Sequence, residues 1–350
     1  MEMEHEHMKP KAVWIDPAFA AFTPEERIFG ETGVEFVYAP CESEDEVINV
    51  ARDADALMVA LHNYISRRIL ANLPKCKVVV RHGIGVDNID VAAATDLGIL
   101  VSNNPTYCLE EVADLAIGLL LACTRKIPLL NQAVRSGAWE HKMARPGHRL
   151  QGSALGIIGL GRIGRRVARR ASGFGLRLLA CDPYIAPAVA TEVGATLVAR
   201  EELLRQSDFV TIHTPLTPET RHLIGERELR LMKPTAYLLN TARGDIIDTS
   251  ALVKALEEKW IAGAGLDVVE GEPIPRGHLL LRFENVILTP HVAWYSEEAA
   301  LELQETCAWD VVRVLRGERP LSMVNAEVLQ RPNCRLPELR DHGLEDKRGG

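Results

Sequence analysis

The stretch Leu155–Tyr184, LGIIGLGRIGRRVARRASGFGLRLLACDPY, constrains the fold more than any other part of the chain. A short run of small and apolar residues turns through Gly159, Gly161 and Gly164, spaced Gly-x-Gly-x-x-Gly. A helical pattern follows, then a second apolar run that ends on Asp182. In such a turn the first glycine permits the tight bend, the second lets backbone approach a pyrophosphate, and the third packs helix on strand. The helix N-terminus then offers free N–H groups and a positive dipole end to the anion. Three glycines alone would suit any tight turn. The second strand adds an acid 18 residues past Gly164, where it can accept hydrogen bonds from the adenosine ribose, so the segment reads as a dinucleotide site. An acid there repels a 2′-phosphate and no arginine follows it at once, so NAD is expected in preference to NADP.

The pattern around this segment is α/β throughout. From Lys11 the runs AVWI, VEFVY, ALMVA, KVVVR and GILVS recur at intervals of about 20 residues between helical patterns, as strands of a parallel sheet covered on both faces do. After Pro105 come LEEVADLAIGLLLACTRKI, a long and largely buried helix, and PLLNQAVRSGAWE, a second helical stretch; together they read as a bridge between domains. Seven further strands follow: ALGIIG, LRLLAC, ATLV, DFVTIH, AYLLN, AGAGLDV and NVILT. An amphipathic helix from Ser296 to Arg316 is stopped by Gly317 and Pro320. The expected fold is two Rossmann- or flavodoxin-like doubly wound α/β domains with a cleft between them. The first is discontinuous, residues 8–103 plus 294–330, and the second spans 104–293. Residues 1–7 and 331–350 read as loose tails.

Composition narrows the function classes. The 350 residues are 47% hydrophobic and 25% charged, enough to bury two cores. A net charge of −8 and a pI of about 5.8 do not favour nucleic acid, and Arg165, Arg166, Arg169 and Arg170 alternate with small and apolar residues as a helix surface would. Seven scattered cysteines without a Cys-x-x-Cys pair argue against a disulfide framework and a zinc site, and for a reducing, cytoplasmic home. His5 and His7 could hold a metal, but MEMEHEHMKP reads as an acidic leader and not as a secretory signal, and no metal site is expected. The longest apolar run, Val112–Cys123, contains Asp114 and is too short to cross a bilayer, so no membrane span is expected.

Three segments after the glycine turn each set one functional side chain beside a strand end: LLNTARGDIID, GLDVVEGEP and ILTPHVAWYS, with Arg243, Glu272 and His291. Singly, each has a plain reading, as a surface cation, a turn residue before Pro273 and a core histidine. All three follow strands of one parallel sheet whose C-terminal ends bind the dinucleotide, so they can converge on its reactive end.

The order of RHGIGVDNID, GLGRIG, NTARGDIID, LDVVEGEP and TPHVAW resembles the D-isomer-specific 2-hydroxyacid dehydrogenase family from about Lys11 to Asn325. That resemblance implies that Arg243 binds the C2 oxygen and carboxylate of a 2-oxo acid. It makes His291 the general acid/base for transfer between NADH and C2, and makes Glu272 the residue that orients the imidazole. It implies a carboxylate nest of backbone N–H groups at Gly83, Ile84 and Gly85, with Ile84 also touching cofactor. Cofactor contacts would come from Ile158, Leu160, Arg162 and Ile163 beside the three glycines and Asp182. Further contacts would come from His213, Thr214, Pro215 and Leu216, from Thr241 and Ala242, from Asp267 on the nicotinamide carboxamide, and from Trp294.

CDPY and HVAWYSEEA look closest to the C-terminal-binding-protein branch of corepressors and their bacterial look-alikes. In that branch residues like Trp294 and Arg81 reach the substrate, which implies a large apolar or aromatic side chain on it. The loop LHNYIS makes His62, Asn63 and Tyr64 specificity candidates, or plain loop surface. Asp245 departs from the family where a second glycine is common after Arg-Gly, and Asp114 stands where many relatives have Glu. The likeness also implies a homodimer built through Leu109 to Gln151. Phosphoglycerate is not expected as substrate, because no regulatory domain follows Arg331 and the N-terminal half shows no phosphate-binding cation cluster. A third reading is a related enzyme of the same architecture acting on formate or phosphite. Formate enzymes of this fold pair the histidine with Gln, whereas Glu272 is ionisable, which counts against formate and leaves phosphite open. The rival reading is an NAD(H)-sensing, corepressor-like scaffold with weak dehydrogenase activity.

Overall fold

The computed structural model of the chain describes residues 9–17, 19 and 21–336, and among them twelve short strands, all paired in parallel, make up two sheets. His5, His7 and residues 337–350 of the expected tail lie outside the described residues. One compact unit comprises the described residues of Met1–Tyr107 and Glu297–Gly350, and the other is Cys108–Ser296. Both boundaries fall a few residues later than the expected limits at 103/104 and 293/294.

In the first unit, β1 (Lys11–Trp14), β2 (Glu35–Tyr38), β3 (Ala56–Val59), β4 (Val78–Arg81) and β5 (Leu100–Asn103) lie in the order β2-β1-β3-β4-β5. This is the flavodoxin-like arrangement. Strands β3 and β4 are buried along their whole length, which is why ALMV and VVVR read as continuous apolar runs without alternation. The helix Glu297–Leu315 packs on the helix Thr23–Thr32 and on β4. The tail does not come loose at Arg331: the Arg335 N–H donates to Gly98 O at 3.0 Å, and its guanidinium reaches Leu73 O and Cys76 O.

In the second unit, β6 (Ala154–Ile158), β7 (Arg177–Cys181), β8 (Ala195–Leu197), β9 (Phe209–Ile212), β10 (Tyr237–Asn240), β11 (Gly263–Leu266) and β12 (Val286–Leu288) follow the order β8-β7-β6-β9-β10-β11-β12. This is the doubly wound Rossmann order carried one strand further, and it reverses between β6 and β9. The helix Leu109–Arg125, expected to bridge domains, is a layer of this unit. Ala113, Ala116, Ile117, Leu120 and Cys123 join Leu155, Ile157, Leu178 and Leu239 in one core, where each leucine or isoleucine contributes about 1.5–3 kcal/mol. On its outer face Glu110 and Asp114 take Arg166 and Arg170 of the glycine-turn helix Arg162–Ser172, so half of the basic cluster is paired. The helix Ile127–Arg135 buries no residue, and Trp139 after it is 87% exposed. Among the described residues no helix is long and apolar enough to cross a membrane, and no group of three or more His, Cys, Asp or Glu is placed to hold a metal.

Candidate active site

Because every strand of the second unit runs the same way, all their C-terminal ends share one edge. Gly159 follows β6, Asp182 follows β7, His213 follows β9, Thr241 follows β10, Asp267 follows β11 and Thr289 follows β12. The edge includes the β6/β9 reversal, where doubly wound sheets leave their crevice.

At the turn, Gly159 has φ 89, and a Cβ on it would stand 2.6 Å from His213 O. A Cβ on Gly164 would stand 2.1 Å from Gly159 O, so this glycine brings the helix down onto the strand. At Gly161 no atom of the described residues lies within 4 Å of a Cβ, which leaves that side of the turn open. Asp182 holds the turn from the next strand. Its Oδ2 accepts the Leu160 N–H and its Oδ1 accepts the Tyr184 N–H, both at 2.9 Å, and each oxygen keeps a second lone pair. Ile158 and Leu160, expected among the cofactor contacts, turn their side chains into the core at 2% and 0% exposure and can offer backbone alone. Ile163 and Leu216 also lean on core clusters, while Pro215 is exposed.

Three buried polar atoms beyond β9 and β10 have no hydrogen-bond partner among the described residues: His213 Nδ1, Thr214 Oγ1 and Thr241 Oγ1. Buried orphans of this kind are costly unless a ligand or water completes them. Together with the open side of Gly161 and the spare lone pairs of Asp182, they fit a dinucleotide laid along this edge. Burial pushes the His213 imidazole down to about 3, so it is neutral, and its Nε2 lies 2.9 Å from Thr211 Oγ1.

The catalytic candidates occupy the same edge. After β10 the Asn240 side chain shapes the turn that carries Arg243. Its Nδ2 donates to Arg243 O at 2.8 Å and its Oδ1 accepts the Ala242 N–H at 3.0 Å, while Arg243 Nη1 donates to Ala242 O at 2.7 Å. Glu272 and His291, 19 residues apart, meet with Oε1 2.6 Å from Nδ1. His291 stands on left-handed backbone, φ 54, which costs a side-chain-bearing residue strain unless its surroundings impose it. Asp267 does so. Its carboxylate accepts Thr289 Oγ1 at 2.6 Å, the Val292 N–H at 3.0 Å and the Ala293 N–H at 2.9 Å, and its carbonyl accepts the His291 N–H at 2.8 Å. Expected to meet the nicotinamide, Asp267 is 1% exposed and committed to the histidine loop. Trp294, just beyond, is half-buried with its ring edge-on to Tyr295.

In the first unit Arg81, expected to reach substrate, is 3% exposed. Its guanidinium is folded under Gly83, donating to His82 O and to Asn88 Oδ1. Asn103 Nδ2 donates to Ile84 O at 2.6 Å and Asn104 N–H to Gly83 O at 3.1 Å, fixing the loop through Gly85 from β5. His62 and Tyr64 are exposed, as specificity residues or plain surface would be.

Sequence reasoning missed two contributors. Asp16, fully buried after β1, accepts the Ala60 N–H at 2.6 Å and the His62 N–H at 2.9 Å, and so shapes the His62 loop. An acid directly after a strand end was its signal. Asn240 was visible only as part of a motif.

The chain matches the family model described as the D-isomer specific 2-hydroxyacid dehydrogenase, NAD binding domain, over residues 117–293. It is 45% identical over 291 residues to a protein named glyoxylate reductase from Korarchaeum cryptofilum (strain OPF8), covering 82% of this chain and 88% of that one. Among solved structures it is similar to a glyoxylate reductase from Paecilomyes thermophila, at 32% identity and TM-score 0.80 over 91% of this chain and 99% of the other. It is also similar to D-lactate dehydrogenase from Aquifex aeolicus complexed with NAD and lactic acid, at 27% identity and TM-score 0.80 over 88% and 96%.

Proposed function

This chain belongs to the D-isomer specific 2-hydroxyacid dehydrogenases, NAD-linked oxidoreductases acting on CH–OH donors, and from that premise we propose that it reduces a 2-oxo acid with His291 as proton donor. The observation that carries the reading is the Glu272–His291 contact at 2.6 Å on the same sheet edge as the glycine turn. A reduced nicotinamide, when bound, supplies hydride to C2. With Nδ1–H donated to the Glu272 carboxylate, Nε2 is the nitrogen left to protonate the carbonyl oxygen, and Glu272 stabilises the imidazolium before the transfer. Arg243 offers a planar fork of cationic donors to the C2 oxygen and carboxylate. The Gly83–Gly85 backbone of the first unit offers N–H donors of the kind that suit a carboxylate.

NAD over NADP rests on Asp182 and the repulsion it exerts on a 2′-phosphate. A large apolar substrate side chain rests on Trp294, against the small substrate for which the Korarchaeum cryptofilum relative is named. A homodimer through Leu109–Gln151 is supported by the unburied helix Ile127–Arg135 and by Trp139. A reducing, cytoplasmic setting fits seven cysteines that are all free.

The test is NADH oxidation against 2-oxo acids graded from glyoxylate and pyruvate to phenylpyruvate, with His291→Ala beside the wild type. Turnover should fall by about 100- to 10,000-fold in the variant, the scale of a lost general acid. Near-normal turnover would remove His291 from the mechanism. Tight NADH binding with no turnover on any acid would favour the scaffold.

A further inference from the structure

Asp245, the residue that departs from the family pattern after Arg243 and Gly244, is half of an ion pair, because Arg221 Nη1 donates to its Oδ1. The next residue along, His222, pairs through Nε2 with Glu270 Oε1 at 2.7 Å, and Glu270 Oε2 accepts the Thr249 N–H at 3.2 Å. The carboxylates taken by these two adjacent side chains stand two positions after Arg243 and two positions before Glu272.

The backbone repeats the connection. His222 N–H donates to Asp245 O at 2.8 Å, Ile224 N–H to Ile246 O at 3.1 Å and Asp248 N–H to Ile224 O at 3.0 Å, around a parallel bridge between Ile224 and Ile247. The Arg243 and Glu270 loops also touch directly. A Cβ on Gly244 would lie 2.1 Å from the Val269 carbonyl carbon and 2.4 Å from Glu270 N, so no side chain fits between them. His222 itself sits at φ 52, a conformation that persists in a side-chain-bearing residue when its contacts over-determine it. Burial alone would raise the Glu270 carboxyl, but hydrogen bonds from His222 and Thr249 hold it below its ordinary value.

We propose that Arg221 and His222 are positioning residues, a two-point brace that sets the spacing of Arg243 and Glu272. The proposal rests on the roles given to those two residues above. Neither brace residue touches substrate. One point acts on Arg243 through Asp245, and so on the grip on the 2-oxo acid. The other acts on Glu272 through Glu270, and so on the orientation of His291.

The two points therefore separate in steady-state kinetics. Asp245→Asn should raise KM for the 2-oxo acid about 5-fold and leave kcat within about 2-fold, the scale of one partly exposed ion pair. Glu270→Gln should lower kcat about 5-fold with KM within about 2-fold. The NADH Kd and Tm should stay at wild-type values in both. The exchanged pair, Arg221→Glu with Asp245→Arg, should bring KM back towards wild type where each single change raises it. Unchanged KM and kcat in both variants would overturn the brace, as would losses of activity, NADH affinity and Tm in proportion. Arg243→Lys in the same assay separates the two readings. KM raised there but unmoved in Asp245→Asn overturns the brace alone, whereas KM unmoved in both overturns the proposed function with it.

Discussion

Two glycines three residues apart answer to different forces. Gly164 has no room for a Cβ against Gly159 O, whereas Gly161 faces space that no described atom fills. Gly164→Ala should therefore lower the stability of the ligand-free protein by about 1–3 kcal/mol, as overpacking against backbone does. Gly161→Ala should leave ligand-free stability within about 0.5 kcal/mol, as at sites away from packing, but weaken NADH at least about 10-fold by blocking close approach. Thermal unfolding and NADH fluorescence titration of both variants check this, and wild-type NADH affinity in Gly161→Ala would place the pyrophosphate elsewhere. The spacing of the glycines and the acid was legible because both belong to one local unit. That Asp182 also fastens the turn through Leu160 and Tyr184 was not, because it depends on how β7 lies beside β6.

At the scale of elements, apolar pattern identified the twelve strands of the described residues and four of the helices, but not their partners. The helix Leu109–Arg125 is apolar on most of its surface, so periodicity showed burial without saying which sheet buries it. Its charged stripe supplied the missing information only once the Arg162–Ser172 helix lay against it. Arg170 then meets Asp114 at 2.6 Å and Glu110 at 2.7 Å. Arg170→Met should leave the two acids facing each other and cost about 1 kcal/mol, with the loss shrinking in high salt. Urea unfolding at low and high ionic strength measures it, and a cost independent of salt would mean that packing of the arginine stem is what was lost.

At the scale of the whole molecule, folding buries an acid and a base together. Glu25 and His82 are both fully buried, 3.9 Å apart, with Glu25 Oε1 and both His82 ring nitrogens lacking partners among the described residues. Burial raises the Glu25 carboxyl from 4.5 to about 7, even with Gln304 Nε2 donating to Oε2 at 3.0 Å, and burial drives the His82 imidazole well below 6.5. Between pH 4.5 and 7 the native state holds a Glu25 proton that the unfolded chain releases, so this group's contribution falls as pH rises and levels off above 7. His82 acts oppositely, because the unfolded chain gains a proton below 6.5 that the native state refuses, and the two partly cancel in the wild type. Glu25→Gln should therefore gain on the order of 3 kcal/mol over the wild type between pH 5 and pH 8, the equivalent of the rise from 4.5 to about 7. Urea unfolding at both pH values reads it, and parallel pH dependence in the two proteins would show Glu25 ionised throughout.

The linear order of residues determined whatever depends on near neighbours: the short apolar runs that became twelve strands among the described residues, the turn that bends at Gly159, and the strand-end positions of Arg243, Glu272 and His291. Strand propensity, glycine backbone freedom and helix dipoles all act within a few residues, so one sequence suffices to see them. Tertiary structure decided what depends on strand order and burial. It brought Glu272 onto His291 across 19 residues, turned Asp267 inward to hold the histidine loop, folded Arg81 under Gly83, and paired Arg221 with Asp245 and His222 with Glu270. Those outcomes follow from which groups lose water together, and that is set only when the sheet closes over its helices.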